Sequence, residues 1–360
     1  MKYTLYPYTA EIEYLPRLLS NDGEITVEAA APRAWRRRPD FPKDIKDFEE
    51  ALQESDVLLL ADTPSTDLLC QDLKARALQA LSRGIAVRSA VTFIGRDLED
   101  LRVAAAENDT VLELLSAPEQ EDAYTSEVYH RQQSIVVAVG ALTQGLSTEW
   151  TAASLAGSLR KRGLETVLVS THPNAGLLGG CCYSMDRILQ AGDPQRQVQT
   201  FNGLLWRIQM QKHPDIMLVE LPDAMQMFTD LCPGSYGIWT YLVTRAMQID
   251  YLVLLSPAED LNQPGFAEMS MEFRFRYGAP IDAVMIMDRT IDRAASREEE
   301  RVMYEKTDPE LMKAYLAELR EQEKDTMRFY TADRPEEIER LTEQLIRTLS
   351  EEEVPEPYVV

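Results

Sequence analysis

The feature that most constrains the fold is a repeated alternation of apolar runs with helical segments. The runs include DVLLLAD (56–62), SIVVAVGAL (134–142), ETVLVST (165–171) and DIMLVELP (215–222). They are apolar at nearly every position rather than at alternate ones, which is typical of strands buried on both faces of a parallel sheet. Parallel neighbours need crossover connections, and helical patterns stand between these runs. The sequence therefore predicts an α/β fold with two doubly wound, mostly parallel sheets.

The length of 360 residues favours two domains, because a single hydrophobic core rarely grows that large. We assign residues 1–115 to a Rossmann-like α/β domain and residues 133–350 to a P-loop NTPase-like domain. Residues 116–132 are polar and lack sustained periodicity, which indicates a linker. Residues 351–360 are expected to form a terminal tail.

The charge balance narrows the classes of partner. Against 37 Lys and Arg the chain carries 60 Asp and Glu, a formal net charge of −23. Nucleic acid and anionic membrane surfaces would be repelled, so we expect neither as a partner. No signal peptide and no long apolar run is recognisable, which favours a cytoplasmic location. The sequence leaves open whether the chain forms a homodimer.

The segment GALTQGLST (140–148) matches a phosphate loop at all positions but one. In the pattern G-x-x-x-x-G-K-[ST], Gly140 and Gly145 are the glycines and Ser147 is the hydroxyl residue, with Thr148 after it. Leu146 stands where the lysine belongs and supplies none of its charge to a nucleotide phosphate. Lys161, which lies along the following helix, would be roughly 20 Å away at 1.5 Å per residue. The pattern predicts a phosphate-loop fold whose nucleotide binding is lost or weakened.

Two acidic residues follow the strand PDIMLVELP. Glu220 occupies the place of the acid that assists magnesium in phosphate-loop proteins, and Asp223 follows it. A strand-end acid that accepts backbone hydrogen bonds is the alternative. We expect the loops 140–148, 172–182 and 220–237 to meet at the carboxyl edge of the second sheet, where open α/β sheets bind ligands.

The loop 172–182 contains three closely spaced glycines and the neighbouring thiols Cys181 and Cys182. The glycines indicate left-handed turns or a close backbone approach, either to a ligand or within a simple crossover turn. None of the four cysteines has C-x-x-C spacing, so free thiols in a reducing compartment are the simplest interpretation. A metal-linked or redox role for Cys181 and Cys182 is an alternative, and no other metal site is predicted.

The order of several segments resembles a known family. YTLYPYTAEI begins the chain, and PDIMLVELP, YGIWTYLVTRAMQIDYLVLLS and FRYGAPIDAVMI follow in the second domain. Together they resemble the peptide maturation system proteins of clostridial-type cassettes, which make ribosomally synthesised, post-translationally modified peptides. By strand order the second domain also resembles dethiobiotin synthetase and the partition ATPases.

The chain departs from the peptide maturation family at two points, a lysine replaced by Leu146 and a Pro-Gly-Gly turn replaced by Pro222-Asp223-Ala224. The resemblance implies an accessory or scaffold role beside a precursor peptide and a radical-dependent or other peptide-modifying enzyme. The alternative is an enzyme that uses ATP or GTP with magnesium to act on the peptide. Its site would be formed by Gly140, Gly145, Ser147, Thr148 and Glu220, with Asp223 beside them.

Overall fold

The chain folds into two compact units in a computed structural model. The structure describes residues 1–9, 12–20, 24–37, 41–43, 45–115, 128–227, 234–258, 265–321, 327–332 and 334–351. The first unit comprises Met1–Pro118 with His172–Tyr183, and the second comprises Glu119–Thr171 with Ser184–Val360. Each contains a parallel sheet whose strands alternate with helices, which confirms the predicted α/β class.

The first unit is built on five parallel strands in the order β2-β1-β3-β4-β5. Its elements are β1 (Lys2–Tyr6), α1 (Tyr14–Leu19), β2 (Thr26–Ala29), α2 (Arg33–Arg36), α3 (Phe48–Leu52), β3 (Val57–Leu60), α4 (Thr66–Ser82), β4 (Ala86–Ser89), α5 (Gly95–Glu107) and β5 (Leu112–Leu114). All four residues of β3 are buried, as its continuous apolar run requires. Leu73 and Leu81 of α4 cover the sheet in the same core.

The rest of the chain supplies the remaining elements. They are β6 (Ile135–Ala141), α6 (Thr148–Lys161), β7 (Thr166–Ser170), a 3₁₀ helix (Pro173–Leu178), β8 (Cys181–Cys182), α7 (Met185–Leu189), α8 (Pro194–Lys212), β9 (Ile216–Ala224), a 3₁₀ helix (Gly234–Gly237), α9 (Ile238–Arg245), β10 (Tyr251–Ser256), α10 (Phe266–Tyr277), β11 (Ala283–Ile286), β12 (Arg289–Ile291), α11 (Arg293–Glu299), β13 (Tyr304–Lys306), α12 (Pro309–Glu321), β14 (Arg328–Thr331) and α13 (Pro335–Glu351).

The strands of the second unit's sheet lie side by side in the order β14-β11-β10-β6-β9-β7, and each neighbouring pair is parallel. Strand β6 is central, with β9 and β7 on one side and β10, β11 and β14 on the other. Strands β12 and β13 form a separate antiparallel ribbon. From β6 the chain passes first to the strands on one side, β7 and β9, and then to those on the other, beginning with β10. The loop that follows β6 therefore lies at a topological switch point, where open α/β sheets bind ligands.

The unit boundaries differ from the sequence-based division in one segment. His172–Tyr183, which we placed in the second domain, belongs to the first unit. Gly176 of this segment lies so close to Leu115 that an added Cβ would meet the Leu115 carbonyl oxygen at 2.8 Å. The close approach that the glycines predicted is therefore an approach to the chain's own backbone.

The predicted linker and tail fall mainly outside the described residues. Residues 116–127 of the linker and 352–360 of the tail are not described. The amide side chain of Asn202 on α8 binds both the backbone N–H and the carbonyl of His130, and the His130 ring stacks on Trp206. The last part of the expected linker is thus packed onto the second unit. No helix in the described ranges is long and apolar enough to cross a membrane.

Candidate functional site

The phosphate-like loop connects the central strand β6 to the N-terminus of α6. Gly145 has φ +79°, a left-handed conformation that glycine adopts without steric cost. Ser147 has φ −75° and ψ 66°, the dihedral angles of an inverse γ-turn, and the Thr148 N–H donates to the Leu146 carbonyl at 2.8 Å. The N–H group of the first helical residue is therefore bonded within the loop, whereas a phosphate loop directs such groups to the ligand.

Leu146 is buried, with 6% of its surface exposed. In a phosphate loop this position carries a lysine whose ammonium group reaches the β- and γ-phosphates. Here an apolar side chain packs into the protein instead. The substitution thus has a structural use, because it converts a ligand-directed position into a core position.

Glu220 lies on β9, the strand next to β6, and it is buried. Its Oε1 accepts a hydrogen bond of 2.5 Å from the Thr148 hydroxyl, and its Oε2 accepts one from the Ser170 hydroxyl. A buried carboxylate needs such donors, because an unpaired charge in the interior is costly. Thr148 and Glu220, which we predicted as site residues, are therefore brought together, and Ser170 at the end of β7 joins them.

Asp223 adopts a left-handed conformation with φ +57° in an irregular part of β9. Val139 pairs with Glu220 and Ala141 pairs with Ala224, so the register shifts between these pairs and Asp223 lies in the resulting bulge. Its Oδ1 accepts a hydrogen bond of 2.7 Å from the Ala224 N–H. This is the strand-end alternative that the sequence left open, an acid that accepts from the backbone.

Gly140 faces side chains of β9 and the turn after it. A Cβ built on Gly140 would lie 2.6 Å from the Met225 Sδ and 3.0 Å from Leu221 Cδ1. The glycine thus lets the Met225 and Leu221 side chains pack against β6. Gly140 keeps its place in the loop pattern, but the close approach it permits is to the protein's own side chains.

Tyr304 on β13 contacts the loop and was not recognised in the sequence. Its hydroxyl donates to the Gln144 carbonyl and lies 2.8 Å from Thr143 Oγ1. Its ring faces Gly145, where an added Cβ would lie 3.2 Å from Tyr304 Cε2. Sequence reasoning had no signal for this contact, because 159 positions separate Tyr304 from Gly145 and a lone tyrosine matches no motif.

Hydrogen bonds from side-chain hydroxyls to backbone carbonyls hold residues 222–225, which follow Glu220. The Thr240 hydroxyl donates to the Pro222 carbonyl at 2.6 Å, and the Tyr277 hydroxyl donates to the Met225 carbonyl. Burial raises the pKa of Tyr277 to about 12, so this phenol remains a proton donor at neutral pH. Gly237 has φ +69° and approaches the same Met225 carbonyl. The segment 228–233 between these contacts lies outside the described residues.

The predicted site residues therefore divide into two sets. Gly140, Gly145, Ser147, Thr148, Glu220 and Asp223 all lie in the loop 140–148 or the end of β9 within the second unit. Cys181 and Cys182 belong to the first unit, and neither takes part in a disulfide. The expected meeting of the loop 172–182 with the loops 140–148 and 220–237 stays a prediction, because the segment His172–Tyr183 is assigned to the other unit.

The residues at the loop do not fit a magnesium nucleotide. The position of the phosphate-binding ammonium is filled by buried Leu146, and the Thr148 N–H and hydroxyl bond to Leu146 and Glu220 respectively. Across the described ranges, no group of three or more His, Cys, Asp or Glu side chains is arranged to hold a metal ion. The geometry favours a closed loop over a loaded nucleotide site.

Comparisons with known proteins bear on the fold alone. No model of a protein family matches the chain, and no curated protein matches it. A DUF1611 family protein from Anabaena variabilis has a similar structure, with a TM-score of 0.58 and 14% identity over 96% of this chain and 99% of that one. The ParA protein of pNOB8 matches 60% of this chain and 99% of its own (14% identity, TM-score 0.31), and Salmonella D-lactate dehydrogenase matches 99% of both chains (12% identity, TM-score 0.21). The last two scores are too low to support a conclusion, whereas the first shows a shared two-sheet α/β fold.

Proposed function

We propose that this protein is an accessory or scaffold protein whose second unit has a phosphate-loop fold but does not hydrolyse nucleotide. The observation that carries the proposal is the closed loop, with Leu146 buried and Thr148 bonded to Glu220. Without the lysine ammonium, a charge-assisted contact to the phosphates of roughly 1.5–3 kcal/mol is lost, which weakens nucleotide binding by about ten- to a hundredfold. Its loss weakens transition-state stabilisation further, because phosphoryl transfer depends on fixed positive charge.

The partners in this proposal are a precursor peptide and a radical-dependent or other peptide-modifying enzyme, as the sequence resemblance implies. An exposed surface on α9 and α10 suits the peptide. Ile238, Tyr241 and Arg245 share one face of α9, and the Arg245 guanidinium lies 5.0 Å from the centre of the Tyr241 ring. Phe275 on α10 is 86% exposed. Aromatic residues with arginine are enriched at protein interfaces, which favours this surface as the place where a peptide binds.

The nucleotide part of the proposal is tested by calorimetric titration of the full chain with Mg-ATP and Mg-GTP. We expect no binding tighter than about 100 μM, because the charge that holds the phosphates is absent. Ser147→Ala is the matched variant, since the Ser147 hydroxyl makes no capping hydrogen bond to α6. If either nucleotide binds more tightly than this and Ser147→Ala abolishes the binding, the loop is a working nucleotide site and the scaffold proposal is refuted.

The peptide part is tested with synthetic peptides whose sequences are taken from short open reading frames beside the gene. Fluorescence anisotropy of each labelled peptide would measure its affinity for the full chain. We expect Tyr241→Ala and Phe275→Ala to weaken binding at least about tenfold, since exposed aromatic anchors dominate interface energy. Leu68→Ala is the control, because Leu68 is also strongly exposed but lies on α4 of the first unit. A stand-alone gene, or equal weakening by Leu68→Ala, argues against this role.

An ATP- or GTP-dependent enzyme is the second candidate, and the retained acid Glu220 favours it. Glu220 lies on the strand beside the loop, which is where a magnesium-assisting acid belongs. Phosphate release with magnesium and the peptide would test this candidate. Turnover that is lost in Glu220→Gln, a substitution of equal size, would establish it and displace the scaffold proposal.

A further inference from the structure

The first unit has a topological switch point of its own, remote in sequence from the phosphate-like loop. In the order β2-β1-β3-β4-β5, the chain moves from β1 to β2 on one side and then to β3 on the other. The carboxyl ends of β1 and β3 therefore flank the crevice in which sheets of this order bind ligands. The last register pair of these two strands is Tyr6 with Leu60.

Two threonines stand three residues beyond that pair, one on each strand's continuation. Thr63 follows β3 and is buried, with 7% of its surface exposed, and Thr9 follows β1. The Oγ1 atoms of both are shielded from solvent and have no hydrogen-bond partner among the described residues. Buried hydroxyl groups are nearly always paired, so two such atoms at one switch point indicate partners that a ligand would supply.

Asp62 lies beside Thr63, and the side-chain amide of Asn174 holds its backbone in place. Its N–H donates to Asn174 Oδ1 at 2.8 Å, and Asn174 Nδ2 donates to its carbonyl at 2.9 Å. Asn174 is buried and belongs to the same unit. The Asp62 carboxylate is half-buried, accepts from the Thr66 hydroxyl and interacts with His172, and burial raises its pKa. Asp62 is thus an acceptor whose position is set by its neighbours, just after the carboxyl end of β3.

The chemistry of these groups defines the ligand. An ionised carboxylate only accepts hydrogen bonds, so the group facing Asp62 must donate them, whereas threonine hydroxyls either donate or accept. An anionic group would be repelled by Asp62 and by the net charge of −23. Adjacent hydroxyl groups donate two hydrogen bonds to one carboxylate, as ribose does to the acid of dinucleotide-binding sheets.

We propose that the carboxyl edge between β1 and β3 binds a ligand with vicinal hydroxyl groups, the ribose of a nucleoside, through Asp62, Thr63 and Thr9. This inference goes beyond the proposed function and does not depend on it, since all three residues belong to the first unit. Asp62 accepts from the diol, and the two threonine hydroxyls bind the remaining oxygen atoms.

Saturation-transfer NMR of the full chain with the four ribonucleosides at millimolar concentration tests the proposal. We expect saturation transfer from the protein to the ribose protons of at least one nucleoside. The 2′-deoxy form of that nucleoside lacks the diol and should bind at least about tenfold more weakly. Asp62→Asn and Thr63→Val should each reduce the signal. Absence of binding by all four nucleosides, or equal binding of the 2′-deoxy form, overturns the proposal. Binding of a simple diamine in place of any nucleoside also overturns it.

The variants also separate a binding role from a structural one. Thr63→Val keeps the shape of the side chain and removes an unpaired hydroxyl, so the melting temperature should stay the same or rise. Thr66→Val is the control, because its hydroxyl accepts from the Thr63 N–H at 2.8 Å and its loss should lower the melting temperature. A Thr63→Val variant that melts lower means that its hydroxyl has a structural partner, and this contradicts the proposal.

Discussion

The hydroxyl of Thr148 lies 2.5 Å from Oε1 of Glu220, so the first residue of α6 is bonded directly to a buried carboxylate of β9. Thr148 ends the loop that follows the central strand β6, and Glu220 lies on β9, the strand that pairs with β6. Because the Thr148 hydroxyl and the Glu220 carboxylate are hydrogen-bonded to each other, neither group needs a ligand as its partner. The Thr148 hydroxyl and the Glu220 carboxylate therefore both have partners within the protein at the position where a phosphate loop would meet its ligand.

We expect Thr148→Val to lower the free energy of unfolding by about 1–3 kcal/mol, because Glu220 loses a donor while remaining buried. Ser147→Ala, one position earlier, should change it by less than about 0.5 kcal/mol, since Ser147 does not cap α6 with its side chain. Denaturant unfolding of both variants, followed by a probe in the second unit, measures the difference. Equal effects would mean that the Thr148–Glu220 bond contributes nothing.

We expect Leu146→Lys to destabilise the protein without restoring nucleotide binding. The position is buried, so an ammonium group there is either desolvated or displaces its neighbours. Leu146→Met is the matched variant and should cost less than about 1.5 kcal/mol, because it nearly conserves volume and polarity. Thermal unfolding and titration with Mg-ATP measure the two properties. A lysine variant that is stable and gains micromolar affinity would show that the loop opens readily.

Tyr304→Phe should loosen the phosphate-like loop. The variant loses hydrogen bonds to Thr143 and to the Gln144 carbonyl, at an expected cost of about 0.5–1.5 kcal/mol. Hydrogen exchange of residues 140–148 should become faster, while exchange in β7 stays unchanged. Tyr241→Phe, on the exposed face of α9, serves as the control and should leave exchange in the loop unaltered.

Gly237→Ala should be more harmful than Gly163→Ala, although both glycines have positive φ. Gly163 has φ +80° with no atom within 4 Å of an added Cβ, so alanine there meets only left-handed strain of about 1–2 kcal/mol. At Gly237 the added Cβ would also meet the Met225 carbonyl oxygen at 2.6 Å. Melting temperatures of the two variants give the comparison, and similar values would mean that the Met225 segment moves aside at little cost.

Asp62→Asn should stabilise the first unit at neutral pH. Burial raises the pKa of Asp62 above its ordinary value of 3.8, so the folded state holds its proton to higher pH than the unfolded chain does. The contribution of this group to stability is therefore fully present below pH 3.8 and is lost as the pH rises through the folded-state pKa. Asparagine does not ionise and avoids this loss. The melting temperatures of variant and wild type should converge at low pH and separate towards neutrality, and a constant difference would contradict the titration of Asp62.

Much of the fold was predictable because strands that are buried on both faces have unbroken apolar sequences. DVLLLAD and SIVVAVGAL became β3 and β6 for this reason. The residue that caps a helix N-terminus was less predictable, because each of several acidic residues near the start of a helix is able to accept a hydrogen bond from its first N–H groups. In DIKDFEEALQES both Asp44 and Asp47 precede the helix, and Asp47 caps α3 by accepting from the Glu49 N–H. Asp44 itself lies outside the described residues.

The sequence by itself determined the α/β class, the spacing of the loop 140–148 and the absence of its lysine, because these depend on periodicity and on residue identity. Only the tertiary structure decided that Leu146 is buried, that Glu220 binds Thr148 and Ser170, and that the segment 172–183 belongs to the first unit. Such contacts join residues far apart in the chain. They arise from sheet order and crossover direction, which bring distant strand ends together and leave no periodic trace in the sequence.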